Sequence, residues 1–339
     1  MIPSIEAAES GARLRWSQLP PLPDKAGLGA PFAGVSNGQL LVAGGTNFPA
    51  APLWEGGKKV WHDTVYSLAS PDSKWNLAGK LPRPLAYGIS LTTSQGVLCL
   101  GGCDAGCHYA AVFLLTLVNG KLQAEPIAPL PKPLAYACGA LVGHTAYIAG
   151  GLETPNSTYS MRTFWALDLA AKLPHWRELE PWPGPARMLS VAAALDGSFY
   201  LISGCELTPL PDGKPTRTYQ TDAYRFKPSE GWTRIADLPK PVVAAPSPAA
   251  ALGNSSIIVL GADDGSNAGF QPIQKHPGFP RSIFTYHVRT DSWHQANNAP
   301  MSRATVPVVE WTGRFVVPSG EMGPGVRSPE VWCFASDPV

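Results

Sequence analysis

Near its end the chain reads VPSGEMGPGVRSPEVW, with Glu321 just after an apolar run and Arg327 six residues on, across a Gly-Pro-Gly turn. Such a turn doubles a loop back on itself, so both side chains are expected to point into one place. A carboxylate beside a guanidinium makes an acid/base group next to an anion clamp, as chemistry on an acidic sugar requires. The same pattern also fits a plain loop salt bridge. A rival acid and base, Glu206 and Arg217 in SGCELTPLPDGKPTRTY, rank lower because eleven residues separate them and Cys205 interrupts the motif. Cys99, Cys103, Cys107 and His108 are close enough to suggest a metal site. Yet the Cys103–Cys107 spacing is one residue too long for a haem-attachment motif, and no second pair at zinc spacing follows. Cys99 reads as core. No metal is expected, and with no phosphate-binding glycine motif ahead of a helix, no cofactor either.

The elements that must position these residues are short. Of 339 residues, 34 are Gly and 36 Pro, so no stretch stays free of breakers long enough for a helical bundle. A 45% hydrophobic content with 11 Trp argues against disorder. Charged residues are 15% and the net charge is +1, which gives no electrostatic ground for nucleic acid or a membrane surface as partner. No apolar run is long enough to span a membrane. Six cysteines are too few for a disulfide framework in a chain of this size. The first ten residues, MIPSIEAAES, lack a basic n-region. The sequence as it stands therefore reads as cytoplasmic, and as periplasmic if a leader was removed.

One pattern recurs six times. LLVAGG ends at Gly45, LCLGG at Gly102 and YIAGG at Gly151, with weaker copies ending at Gly204, Gly261 and Gly320. Trp16, Trp75, Trp176, Trp232 and Trp293 mark a second phase, each just before a Leu-Pro or similar turn. Each unit of about 50 residues reads as four strands, which predicts an all-β, six-bladed kelch-type β-propeller. Residues 12–19 resemble a fourth strand with no blade before them, while the last unit ends at Val331–Phe334 after its third. The N-terminal strand is therefore expected to complete the sixth blade and close the ring, making residues 1–339 one domain.

In a propeller, binding groups gather on loops around one mouth of the channel. Loops after the glycine pairs supply Asn47, Asp104, Glu153, Glu206, Asp263, Asp264 and Glu321. Those before each first strand supply Arg83, Lys132, Arg187, Lys240 and Arg303. Loop charges of this kind are more often simply solvated.

The VPSGEMGPGVR segment resembles the Asn-Gly-Glu…Pro-Gly-Leu-Arg loop of the N-acetylneuraminate epimerases, bacterial sialic acid mutarotases built on six kelch blades, with Ser319 in place of the Asn. FAGVSNGQLLVAGGTNFP, from Phe32 to Pro49, and RPLAYGISL, from Arg83 to Leu91, are similar to the two blades that follow that loop in the family. The order is that of the cyclically permuted mutarotases, whose NFP…WEGGKKVWHD signature runs here from Asn47 to Asp63. The resemblance implies an isomerase that interconverts the α and β anomers of N-acetylneuraminate by cofactor-free, acid/base-assisted ring opening. It implies Glu321 as proton acceptor and Arg327 as a substrate-binding residue. Asn47, Arg83 and Tyr87 are further candidates for contacts to the sugar from their loop positions, although Tyr87 fits a core ring at least as well. The alternatives from other classes are a kelch interaction module without catalysis and a lectin-like binder of acidic sugars.

Overall fold

The apolar run ahead of each glycine pair becomes the second strand of a four-stranded antiparallel sheet, and there are six such sheets. The structure is a computed structural model that describes residues 14–336. The first blade comprises Phe32–Ser36, Gln39–Ala43, Thr64–Leu68 and Asn76–Lys80. The second comprises Ile89–Thr92, Val97–Leu100, Val112–Val118 and Lys121–Ile127. Second strands such as Val97–Leu100 and Ser256–Leu260 are buried along their whole length, because a neighbouring blade covers each face. The outermost strand Lys121–Ile127 alternates between exposed and half-buried residues, as expected of a strand with one face in solvent. No α-helix occurs among the described residues, and none of their helical turns is long and apolar enough to cross a membrane.

Packing is between blades rather than around one centre. Six clusters of buried side chains lie one between each adjacent pair of blades. The repeated tryptophans serve these seams. Trp75, Trp176, Trp232 and Trp293 donate their ring N–H to the carbonyls of Pro20, Ala128, Glu180 and Ala236, at 2.7, 2.9, 2.9 and 2.8 Å. The glycine pairs serve them too. Gly44 has a φ of +66°, and a Cβ there would lie 2.3 Å from the Leu85 carbonyl oxygen of the next blade. That close approach lets the amide of Gly45 donate to the same oxygen at 2.8 Å. At Gly44 a side chain would collide with that oxygen, so glycine is required there.

The ring closes as the repeat phase predicts. The sixth blade is ordered Leu14–Leu19, Val331–Ser336, Arg314–Pro318, Val309–Trp311, with the N-terminal strand paired from Leu14 opposite Ser336 to Leu19 opposite Val331. Residues 12 and 13 of the expected closing strand lie outside the described residues. Without its first strand the sixth blade presents an open edge at Val331–Ser336 and loses part of the seam formed by Leu19, Val331 and Cys333. Removing residues 1–19 is therefore expected to lower the melting temperature and promote association, read by calorimetry and light scattering. An unchanged melting temperature would show that this strand does not close the ring.

Candidate active site

Two features of the repeat bring Glu321 and Arg327 together. Glu321 directly follows Ser319-Gly320, and its backbone forms a two-way bridge with Ala304, N–H to carbonyl at 2.8 and 3.1 Å. Between the second and third strands of the sixth blade, Glu321–Gly323 pairs with Val326–Arg327 in a small ribbon. Glu321 sits directly opposite Arg327 in that ribbon, so the six-residue spacing places both side chains on one face. Arg327 Nη2 lies 3.2 Å from Glu321 Oε1, with the two side chains 3% and 13% exposed. Ser319, where the family carries Asn, is fully buried. Its hydroxyl accepts from the Leu28 amide at 2.7 Å and donates to the Ser328 carbonyl at 2.6 Å, fixing the base of the ribbon.

Three donors converge on one oxygen of Glu321. Besides the ion pair with Arg327, Oε1 accepts from the Tyr87 hydroxyl at 3.3 Å and from Thr305 Oγ1 at 3.2 Å, whose one proton is shared with the Ala304 carbonyl at 2.8 Å. No hydrogen bond from a described residue occupies Oε2. Tyr87 and Thr305 reach Oε1 because they belong to a belt around the channel. Ala30, Tyr87, Tyr136, Leu189, Ala244 and Thr305 stand at the same place in successive blades, with φ between +53° and +60°. From Tyr87 to Thr305 each amide donates to the carbonyl of the preceding belt residue, at 2.7–3.2 Å. A left-handed bulky residue is costly, and its recurrence here reflects this shared hydrogen-bonding demand.

Above the belt lies a cavity of about 750 Å³, lined among others by Lys59, Trp61, Tyr87, Cys103, His108, Tyr136, Arg217, Asp263, Thr305 and Glu321. Its size suits a small polar ligand. Lys59 is half-buried and donates to the Tyr87 hydroxyl at 3.2 Å. Burial pushes its ammonium below the ordinary lysine value, as does Arg327, while Glu321 and Cys103 pull the other way. Burial raises the Tyr87 hydroxyl well above its ordinary range and the Cys103 thiol to about 11. His108 Nδ1 donates to the Leu152 carbonyl at 3.0 Å, and burial lowers its pKa, which favours the neutral ring.

The candidates named from the sequence divide between the cavity and the scaffold. Glu321 and Tyr87 line the cavity; Arg327 lies directly behind Glu321, its guanidinium over the Phe48 ring at 4.8 Å. Asn47 is buried and its amide is fully engaged, donating to Asp24 and Gly27 and meeting His62 Nε2 at 2.7 Å. Arg83 is exposed over the Tyr109 ring at 4.4 Å, outside the lining. Arg187 and Arg303 are buried structural groups, paired with Asp222 at 2.8 Å and Glu330 at 2.6 Å. Glu206 stands opposite Thr218 and Arg217 opposite Leu207 in a ribbon, so Glu206 and Arg217 point to opposite faces, and only Arg217 lines the cavity. Cys107 is exposed, and among the described residues no three His, Cys, Asp or Glu side chains group to hold a metal. Lys59, Trp61, Tyr136, His108 and Arg217 are among the lining residues not picked out as sugar contacts. Tyr136 had a usable signal, since KPLAYACG repeats the RPLAYGIS that contains Tyr87.

Residues 3–123 match the family model described as N-acetylneuraminate epimerase. Over its first third, the chain resembles the N-acetylneuraminate epimerases. The curated N-acetylneuraminate epimerase of Yersinia enterocolitica is 40% identical over 131 residues, covering 34% of this chain and 33% of the relative. That of Yersinia pestis strain Pestoides F is 40% identical over 111 residues, with 29% and 27% covered. That of Salmonella arizonae is 37% identical over 129 residues, with 33% of each covered. The chain thus spans about a third of the length of these relatives, or less. The family match contains Asn47, Lys59, Arg83 and Tyr87 and ends before Glu321 and Arg327.

Gly29 tests the seating of the Glu321–Arg327 pair. A Cβ at this position would lie 2.8 Å from Glu321 Oε1 and 3.0 Å from Arg327 Nε. Gly29→Ala is expected to push the carboxylate off its donors and cost about 1–3 kcal/mol, the usual penalty of overpacking. Urea unfolding measures it; a variant as stable as the parent would mean that the pair is not held where described.

Proposed function

We propose that the protein interconverts the α and β anomers of N-acetylneuraminate by acid/base-assisted opening and reclosure of the sugar ring, without a cofactor. The observation that carries this reading is Glu321, a carboxylate at a sugar-sized cavity with Oε1 held by three donors and Oε2 left unengaged. In this reading Oε2 takes the proton of the anomeric hydroxyl and returns it on reclosure. A base held by several fixed donors needs little reorganisation as charge moves.

Arg327 is assigned two tasks. It holds Glu321 through Nη2, and although it lies behind Glu321 rather than in the cavity lining, a small shift of its side chain on binding would present Nε and Nη1, both buried without a partner, to the C1 carboxylate. Buried unpartnered guanidinium N–H groups are costly, which favours a ligand that takes them up. Tyr87 lies within reach of the sugar from the cavity wall, whereas Asn47 supports the loop beneath the site. The substrate comes from the name carried by the relatives, which the chain matches over about a third of their length. A lectin-like binder would use the same cavity without turnover.

Glu321→Gln separates the two readings. The amide keeps the size of the side chain but cannot take up the proton. Anomer exchange, followed by saturation-transfer NMR on N-acetylneuraminate, is expected to fall by about 10²–10⁴-fold while sugar binding by calorimetry stays near the parent value. A fully active Glu321→Gln enzyme would remove Glu321 as the base. A parent protein that binds the sugar without speeding exchange would be a lectin.

A further inference from the structure

Opening a sugar ring requires two proton transfers: one leaves the anomeric hydroxyl and one arrives at the ring oxygen. Glu321 accounts for the first, and with Oε1 occupied by three donors it offers a single oxygen to the cavity. The second transfer needs a group on the same wall that carries a proton and can release it. Arg217 does not release one, because a guanidinium stays protonated. The Tyr87 and Tyr136 hydroxyls and the Cys103 thiol are all made weaker acids by burial. His108 spends its Nδ1 proton on the Leu152 carbonyl, and burial favours its neutral form.

Lys59 remains. Its Nζ lies 3.2 Å from the Tyr87 hydroxyl, which in turn lies 3.3 Å from Glu321 Oε1, so Tyr87 sets the ammonium and the carboxylate on either side of one phenol. The ammonium also lies 5.6 Å from the centre of the Trp61 ring and 5.2 Å from that of Tyr87, which confines it. Pairing of Val60–Trp61 with Thr46–Asn47 anchors the segment that carries it. One of its three N–H groups is used by Tyr87, and the side chain lines the cavity.

We propose that Lys59 is a second catalytic residue, the proton donor to the ring oxygen, acting opposite Glu321. This rests on the reading of the site as that of an N-acetylneuraminate epimerase. As the bond from the anomeric carbon to the ring oxygen breaks, its electron pair goes to that oxygen, which takes a proton from the Lys59 ammonium. The electrons of the anomeric O–H bond form the carbonyl, and the proton goes to Glu321. Rotation of the open chain and attack on the other carbonyl face reverse both transfers, leaving the enzyme unchanged. The titratable groups facing Lys59 are Glu321, Arg327 and Cys103; burial, helped by Arg327, outweighs the opposing pull of Glu321 and Cys103 and lowers its pKa below the ordinary 10.5. An acid must be protonated to act. The rate is therefore expected to fall as pH rises through the Lys59 pKa, earlier than for a solvated lysine.

The test compares Lys59→Arg and Lys59→Met with the parent by saturation-transfer NMR of N-acetylneuraminate exchange across alkaline pH. Arginine keeps the charge but does not release a proton. Both variants are expected to lose about 10²-fold or more in kcat, with KM for Lys59→Arg within a few-fold of the parent and without the parent's alkaline fall. Retained kcat in Lys59→Arg, with only a raised KM in Lys59→Met, would make Lys59 a carboxylate clamp and overturn the proposal. A readout independent of turnover keeps it falsifiable if the parent does not accelerate exchange. In ¹³C-lysine-labelled protein, the Cε signal lost in Lys59→Arg is expected to titrate below the other lysines, and an ordinary titration would overturn the proposal without touching the reading of the substrate.

Discussion

In four of the six blades the amide of the glycine that ends a Gly-Gly or Ser-Gly turn donates to a carbonyl of the next blade, and on this contact the rest of the structure depends. Gly45 makes it to Leu85, Gly102 to Leu134, Gly151 to Arg187, and Gly320 back to Leu28 across the closure of the ring, at 2.8–2.9 Å. Each bond demands that the preceding residue leave room for that carbonyl and that the chain then turn through left-handed conformations. Because the apolar clusters lie between blades, no blade has a core of its own. The last clip and the N-terminal strand therefore complete a seam rather than decorate a finished fold. Glu321 is the residue directly after the closing clip, so the geometry of the candidate base is inherited from the closure.

Around that base the site concentrates charge on partly buried side chains. Glu321 and Lys59 line the cavity with Arg327 behind Glu321, and burial of such groups is tolerable only when they are paired and hydrogen-bonded. Tyr87 satisfies two of them with a single hydroxyl. Arg327 keeps two donors without a partner, which marks the incomplete edge of an otherwise satisfied network.

Much of this was legible in the sequence because repetition is. The glycine pairs and tryptophans gave the blade count and the phase, and the phase placed Leu14–Leu19 against Val331–Ser336. The turn chemistry of Gly-Pro-Gly brought Glu321 opposite Arg327. What sequence could not supply was direction. Arg187 and Arg303 occupy the same loop position as Arg83, yet they point inward to Asp222 and Glu330 while Arg83 lies on the surface. Asn47 sits in a motif next to the site but turns its amide to the loop below. Lys59 was hidden for a related reason: one lysine in a run of loop residues carries no sign of the tyrosine it meets 28 positions away.

The central claim is that an acidic sugar sits over the belt with its anomeric hydroxyl on Glu321. A crystal structure of the protein with N-acetylneuraminate bound tests it most directly. The account predicts the anomeric oxygen within hydrogen-bond distance of Glu321 Oε2 and the ring oxygen facing Lys59, with Oε1 still on Tyr87, Thr305 and Arg327. A sugar bound elsewhere, or one that meets Glu321 only through its glycerol tail, would contradict it.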